Sequence, residues 1–199
     1  MKKIFTPLIL ILAILAILII GIIAWGVGEY NNFISLQADA DEGWSQVEVQ
    51  YQRRADLVPQ LVATVEGAAD FESTTLQNVT EARTNWLNTM ADENATIDEQ
   101  MEASSSFDSA LSRLLVTVES YPTLTATESF QTLLSQLEGT ENRISVARMD
   151  YNVVAKIYNV ATKKVPQMLI ANLFGFDEYP YFESDEGSEE APVVEFDFE

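Results

Sequence analysis

Hydrophobic and polar positions change their pattern once, sharply, along this chain. From Leu8 to Val27 there is no alternation: twenty residues, most of them Leu and Ile, include no charged or strongly polar side chain. At about 1.5 Å of rise per residue such a helix spans roughly 30 Å, the hydrocarbon thickness of a bilayer. Thr6-Pro7 suits its start, because Thr can cap and Pro fits the first helical position. Trp25 and Tyr30 stand at its far end, where aromatic rings favour the headgroup level. The run is long for a signal-peptide core, no small-residue cleavage site follows, and there is no cysteine to accept a lipid, so the pattern predicts an uncleaved anchor. Lys2 and Lys3 precede it and no Lys or Arg follows until Arg53. The positive-inside rule then puts the N-terminus in the cytoplasm and the rest of the chain outside it, as a single-pass protein of the cell membrane.

After Tyr30 the spacing becomes amphipathic. Trp44, Val47, Tyr51, Val58, Leu61 and Val65 recur at three and four residues, the mark of a helix with one buried face. Pro59 predicts a kink in it and Gly67 to Phe71 a break. Leu76, Val79, Trp86 and Met90 form a second stripe, which ends at the loop-like Asp92-Glu93-Asn94. Thr96 with Glu99 has the form of a capping box before a third stripe of Met101, Phe107, Leu111, Leu114 and Val118. Tyr121-Pro122 stops that helix, and Thr125 with Glu128 reads as the cap of the fourth. There Leu133, Leu137, Thr140, Ile144, Ala147, Tyr151, Val154, Tyr158, Ala161 and Val165 make a heptad-like seam with a Tyr-Asn pair repeated seven residues apart, and Pro166 ends or bends the helix. Short connections between long amphipathic helices imply antiparallel neighbours. The predicted fold is all-α: an N-terminal transmembrane helix followed by an up-and-down antiparallel bundle of about four long helices.

These patterns divide the chain into a short N-terminal segment (1–7), the membrane helix (8–28), the helical bundle (29–176) and an acidic tail (177–199). Two stretches look like contact surfaces. One is the apolar piece after Pro166, with Met168, Leu169, Leu173, Phe174 and Phe176, suited to pack under the bundle or to touch the membrane surface. The other is the tail, where Tyr181, Phe182, Phe196 and Phe198 are set among acids; its 184–192 portion has the composition of a disordered segment.

Composition narrows the chemistry. The chain has 199 residues, no cysteine and no histidine. That removes disulfides, thiolate metal sites, the commonest general base and the Glu-x-x-His pairs of di-metal bundles. A serine nucleophile would have only Lys156, Lys163 or Lys164 as a base, and Ser104 to Ser106 sit in a polar run without an elbow motif. No EF-hand spacing or phosphate loop is present. No catalytic, cofactor-binding or metal-binding residue is therefore assigned. The net charge of −20, ten of it in the tail, opposes binding to nucleic acid or to anionic lipid heads.

Four charged residues lie on or beside the buried stripes: Arg54, Arg83, Glu141 and Arg148. Interhelical ion pairs that fix helix register are the leading reading, with Glu141 as the acceptor on the fourth helix and all three arginines meeting carboxylates. The competing reading is a polar constellation that binds a small acidic ligand or a partner's carboxylate.

Several segments in order resemble the LemA family of bacterial membrane-anchored helical proteins. They are residues 44–50 (WSQVEVQ), 52–59 (QRRADLVP), 79–83 (VTEAR) and, above all, 137–144 (LEGTENRI) with Ala147-Arg148 and Tyr151-Asn152. The resemblance covers about residues 1–182. Gln60, Thr125 and Thr127 depart from the usual family pattern. It implies an anchor and a bundle of long helices, and it supplies no reaction.

The function expected from this reading is a membrane-anchored helical scaffold or adaptor of the bacterial envelope, not an enzyme. Its partners would be the lipid bilayer through residues 8–28, an unidentified membrane or envelope protein, and a further copy of itself. The alternative is a membrane-tethered sensor or receptor that binds a small ligand or cation within the bundle. A ligand site predicts a sizeable pocket reaching Arg54 or Glu141; a scaffold predicts a filled core and an exposed apolar patch.

Overall fold

A computed structural model of the chain describes residues 2–67 and 73–183. The described residues are helical apart from short connections and a final extended segment, with no strand among them. The elements are α1 (Lys2–Glu66), α2 (Ser73–Ala91), α3 (Ile97–Val118), the one-turn α4 (Pro122–Thr125), α5 (Glu128–Lys163) and α6 (Met168–Phe174).

The boundary drawn at residue 28 is not a structural one. The apolar span and the first amphipathic stripe belong to a single helix of 65 residues, about 98 Å long at 1.5 Å per residue. It begins at Lys2, so Pro7 lies inside it instead of opening it, and it runs on through Pro59 to Glu66. Ile9 to Val27 project their large side chains outward, Ile17 being 69% exposed, while Phe33, Ala40, Val47 and Tyr51 are almost fully buried. One helix thus carries two kinds of surface. Its first third is long and apolar enough to cross a membrane, and its remainder is the central strut of the bundle.

α1 packs along α5 and against α2, and α2 pairs with α3. Trp86 sits in the middle, ring-stacked between Tyr51 of α1 and Phe107 of α3 at centroid distances of 5.9 and 6.2 Å. Its indole N–H donates to the Ser104 hydroxyl at 3.2 Å, and Ser104 in turn donates to the Gln100 carbonyl, so the buried polar atoms are satisfied. At Gly43 α1 approaches α5 closely. A Cβ there would lie 2.8 Å from a Val154 methyl group and 3.4 Å from the Tyr151 Cα.

Capping follows the sequence at one helix and departs from it at another. Thr96 and Glu99 form both bonds of a capping box at the start of α3. At α5 the cap is Thr127, whose hydroxyl accepts from the Phe130 N–H, and not Thr125. Pro122 opens α4, which draws Thr125 into its own turn, where its hydroxyl donates to the Pro122 carbonyl. Thr127 is then the residue with extended backbone and a free acceptor.

The α5 seam also drifts. Leu133 through Tyr151 and Tyr158 are buried as expected, but beyond Tyr151 the buried positions also include Ala155, Asn159 and Thr162, while Val165 lies past the end of α5 and is 78% exposed. A straight helix of 3.6 residues per turn rotates about 20° per heptad away from a 3.5-residue repeat, which carries a strict heptad off the core face over 36 residues.

Candidate functional site

The helices do not close into a ring. α3 and α5 are linked chiefly through α4 and through α1 and α2, leaving a cleft of about 1520 Å³ between them. Its walls include Met101, Leu111, Leu115, Leu134 and Leu137; its floor is charged.

At that floor Arg54, from the buried face of α1 and 2% exposed, donates through Nη1 to Asp108 of α3 and through Nη2 to Glu141 of α5. Arg148 of α5 donates to the second Asp108 oxygen at 2.6 Å and to the Tyr51 hydroxyl, while Tyr51 donates to that same Asp108 oxygen at 2.7 Å. Two cations and two anions balance, and both guanidinium groups also lie over the Tyr51 ring, at 5.3 and 5.4 Å. Burial pushes the Tyr51 phenol well above its ordinary range, and the Asp108 carboxylate beside it adds to the rise. Tyr51 is therefore a fixed donor at neutral pH.

The four seam charges thus have separate fates. Arg54, Glu141 and Arg148 converge on one cluster. Arg83 does not reach it: its Nε donates to the Ala55 carbonyl at 2.6 Å, tying α2 to the α1 backbone instead of meeting a carboxylate. The member that the sequence pattern did not single out is Asp108, on which both other arginines meet. It follows Phe107 directly and precedes Leu111 by three, at the edge of the α3 stripe.

Residues 176–183 form the second unexpected feature. The body of the protein extends past 176 because this segment lies across α1 and α5 as an extended strap. The Asn159 side chain donates to the Tyr179 carbonyl at 2.8 Å and accepts from the Tyr179 N–H at 2.9 Å. Asn152 repeats this with Phe182, at 2.8 and 3.0 Å. Phe182 stacks on Trp44 and meets Tyr151 edge-on, and Arg148 lies 4.8 Å over its ring. Tyr179, 9% exposed, donates its hydroxyl to Asp41. Phe182 is consequently part of the packed body, not a free contact residue, while Tyr181 is 41% exposed at the cleft rim. Phe196, Phe198 and the 184–192 stretch lie outside the described residues.

The piece after Pro166 is placed beside the end of the apolar run of α1. Phe176 packs on Tyr30 and Phe33 at 5.5 and 5.1 Å, and Phe174 meets Tyr30 edge-on at 4.9 Å. Met168, Leu169 and Leu173 remain exposed, at 39, 64 and 73%. Among the described residues no group of three or more acids is placed to hold a metal ion.

The family model described as LemA family matches residues 43–196. Magnetosome protein MamQ 1 of Paramagnetospirillum magneticum is 26% identical over 94% of this chain and 76% of its own length. Magnetosome protein MamQ of Magnetospirillum gryphiswaldense is 28% identical over 88% of this chain and 72% of its own. Protein LemA of Metamycoplasma hominis is 27% identical over 72% of this chain and 66% of its own.

Proposed function

This chain belongs to the LemA family, and from that premise we propose that it is a membrane-anchored helical scaffold or adaptor of the envelope, with no chemical step of its own. The observation that carries this reading is the continuity of α1. An apolar membrane helix that becomes the bundle's central strut without a linker holds the α3–α5 cleft at a set height and orientation over the bilayer. Tethering in two dimensions raises the concentration of such a surface for other membrane proteins. The charges on the cleft floor pair with one another, with the buried Arg148 Nε left without a hydrogen-bond partner, and this mutual pairing suits a structural base better than a reactive centre. Lys2 and Lys3 support an orientation with the N-terminus in the cytoplasm and the bundle outside it.

A photo-crosslinking side chain at Ser109, on the cleft wall, is the direct test in native membranes. An adaptor yields a defined protein adduct; adducts with lipid or itself alone overturn the proposal. Protease treatment of intact cells reads the orientation, and a C-terminal epitope protected from outside reverses it.

The cleft also favours a second reading, a sensor for a small ligand, because it is sizeable and reaches both Arg54 and Glu141. A ligand would have to compete for carboxylates already held by arginines. Saturable binding of a small cation or metabolite that is lost in Asp108→Asn, with the fold intact, would establish this reading over the adaptor.

A further inference from the structure

We infer that α6 is a second membrane contact, with its Leu169, Leu173 and Phe174 edge lying in the interfacial layer of the bilayer that holds the Leu8–Val27 helix. The inference rests on the reading of that helix as a membrane span and adds a second segment to it. Height is the first argument. Ile170 lies 3.5 Å from where a Cβ on Gly26 would stand, Gln167 reaches Glu29, and Phe174 packs on Tyr30. α6 is thus level with residues 26–30 of α1, where the uncharged run ends. Four residues of helix amount to about 6 Å of height. The polar layer on each side of a hydrocarbon core is about 5–8 Å deep.

Chemistry is the second argument. The sequence of α6, MLIANLF, has no charge and one polar side chain, Asn172. Ala171 is buried against the bundle, while Leu169, Leu173 and Phe174 are 64, 73 and 56% exposed, joined by Val165 at 78%. Such an edge is costly in water and favourable at the lipid boundary. Trp25 and Tyr30, each a little over one-third exposed, stand at the same level, as belt aromatics do. Gly175, in the left-handed region at φ 72°, ends α6 and turns the chain back toward the strap.

A second copy of the chain fits less well. A seven-residue helix is about 10 Å long and offers far less than the roughly 800 Å² per partner of a standard interface. The net charge of −20 adds repulsion between copies.

The absence of cysteine permits a clean test on the full chain in phosphatidylcholine vesicles. Single cysteines at Ile17, Leu173 and Val146, all exposed, would carry an environment-sensitive fluorophore and be quenched by nitroxides at two acyl-chain depths. Val146 shares a surface with Val49, about 30 Å along α1 from the end of the span. The expected result is strongest quenching at 17 by deep nitroxides, at 173 by shallow ones, and none at 146. If 17 is quenched while 173 behaves like 146, the α6 contact is overturned and the anchor stands. An unquenched 17 overturns both. Signal at 173 that depends on labelled protein density and not on nitroxide assigns α6 to a second copy and overturns the lipid contact.

Discussion

The side-chain amide of Asn159 and the backbone of Tyr179 pair in both directions, twenty residues apart in sequence, and Asn152 does the same with Phe182. Seven residues of helix separate the two asparagines, about 10.5 Å; three residues of extended chain separate their partners, about 10 Å. This match of spacings lets one strap bridge α5 at two points.

Asn159→Ala leaves a buried N–H and C=O of Tyr179 without partners, so a loss of about 1–3 kcal/mol is expected, or a few degrees of melting temperature per kcal/mol at this size. The loss should concentrate at the strap. Hydrogen exchange at residues 177–183 rising while the core of α1 stays protected is the expected signature, and uniform change across the bundle would contradict it.

Arg54→Met should cost about 3 kcal/mol, near the low end for breaking a buried pair, since Asp108 keeps Arg148 and Tyr51. Glu141→Gln should cost less than about 1 kcal/mol, because the Glu141 side chain is 61% exposed and water screens its pairing. Adding Asp108→Leu to Arg54→Met should deepen the loss, because it takes from Arg148 and the Tyr51 hydroxyl the carboxylate they share. Thermal melts in detergent check all three; equal costs for Arg54 and Glu141 would mean that burial does not decide the energetics here.

Two helix glycines should respond in opposite directions. A methyl group added at Gly139 would meet nothing within 4 Å, so Gly139→Ala should stabilise α5 by about 0.5–1 kcal/mol. Gly43→Leu has no space against Val154, a stiff β-branched residue, and the Tyr151 backbone; overpacking should cost about 1–3 kcal/mol. Chemical denaturation of both variants reads the difference in sign.

Alkaline stability follows from the buried phenols. Burial lifts Tyr158 from 10.0 to about 12, with Asp177 and Asp41 adding to the rise, and Tyr51, Tyr151 and Tyr179 move in the same direction. A phenol with its folded pKa above its unfolded value contributes stability that is whole below the unfolded pKa and is lost as pH rises through the folded one. Stability should therefore hold up to about pH 10 and fall between about 10 and 12. Tyr158→Phe should lessen the fall. Phenolate absorbance and helical circular dichroism followed together check this; phenols titrating near 10 with the helices intact would refute it.

The apolar N-terminal helix, the all-α class, the helix stripes and the α3 cap were legible because each is a local property: a run length, a three-and-four spacing, a cap four residues wide. Sequence alone also marked Arg54, Glu141 and Arg148 as charges beside apolar seams. It could not show that the two arginines share Asp108, since that depends on which faces of α1, α3 and α5 turn toward one cleft. Nor could it show that two asparagines on α5 would bind a strap composed like a tail, or that α6 would stand level with Gly26. Those are matches between segments far apart in the chain, set by how rigid helices pack and at what height. Periodicity determined which surfaces must be buried; only the tertiary structure decided what each surface meets.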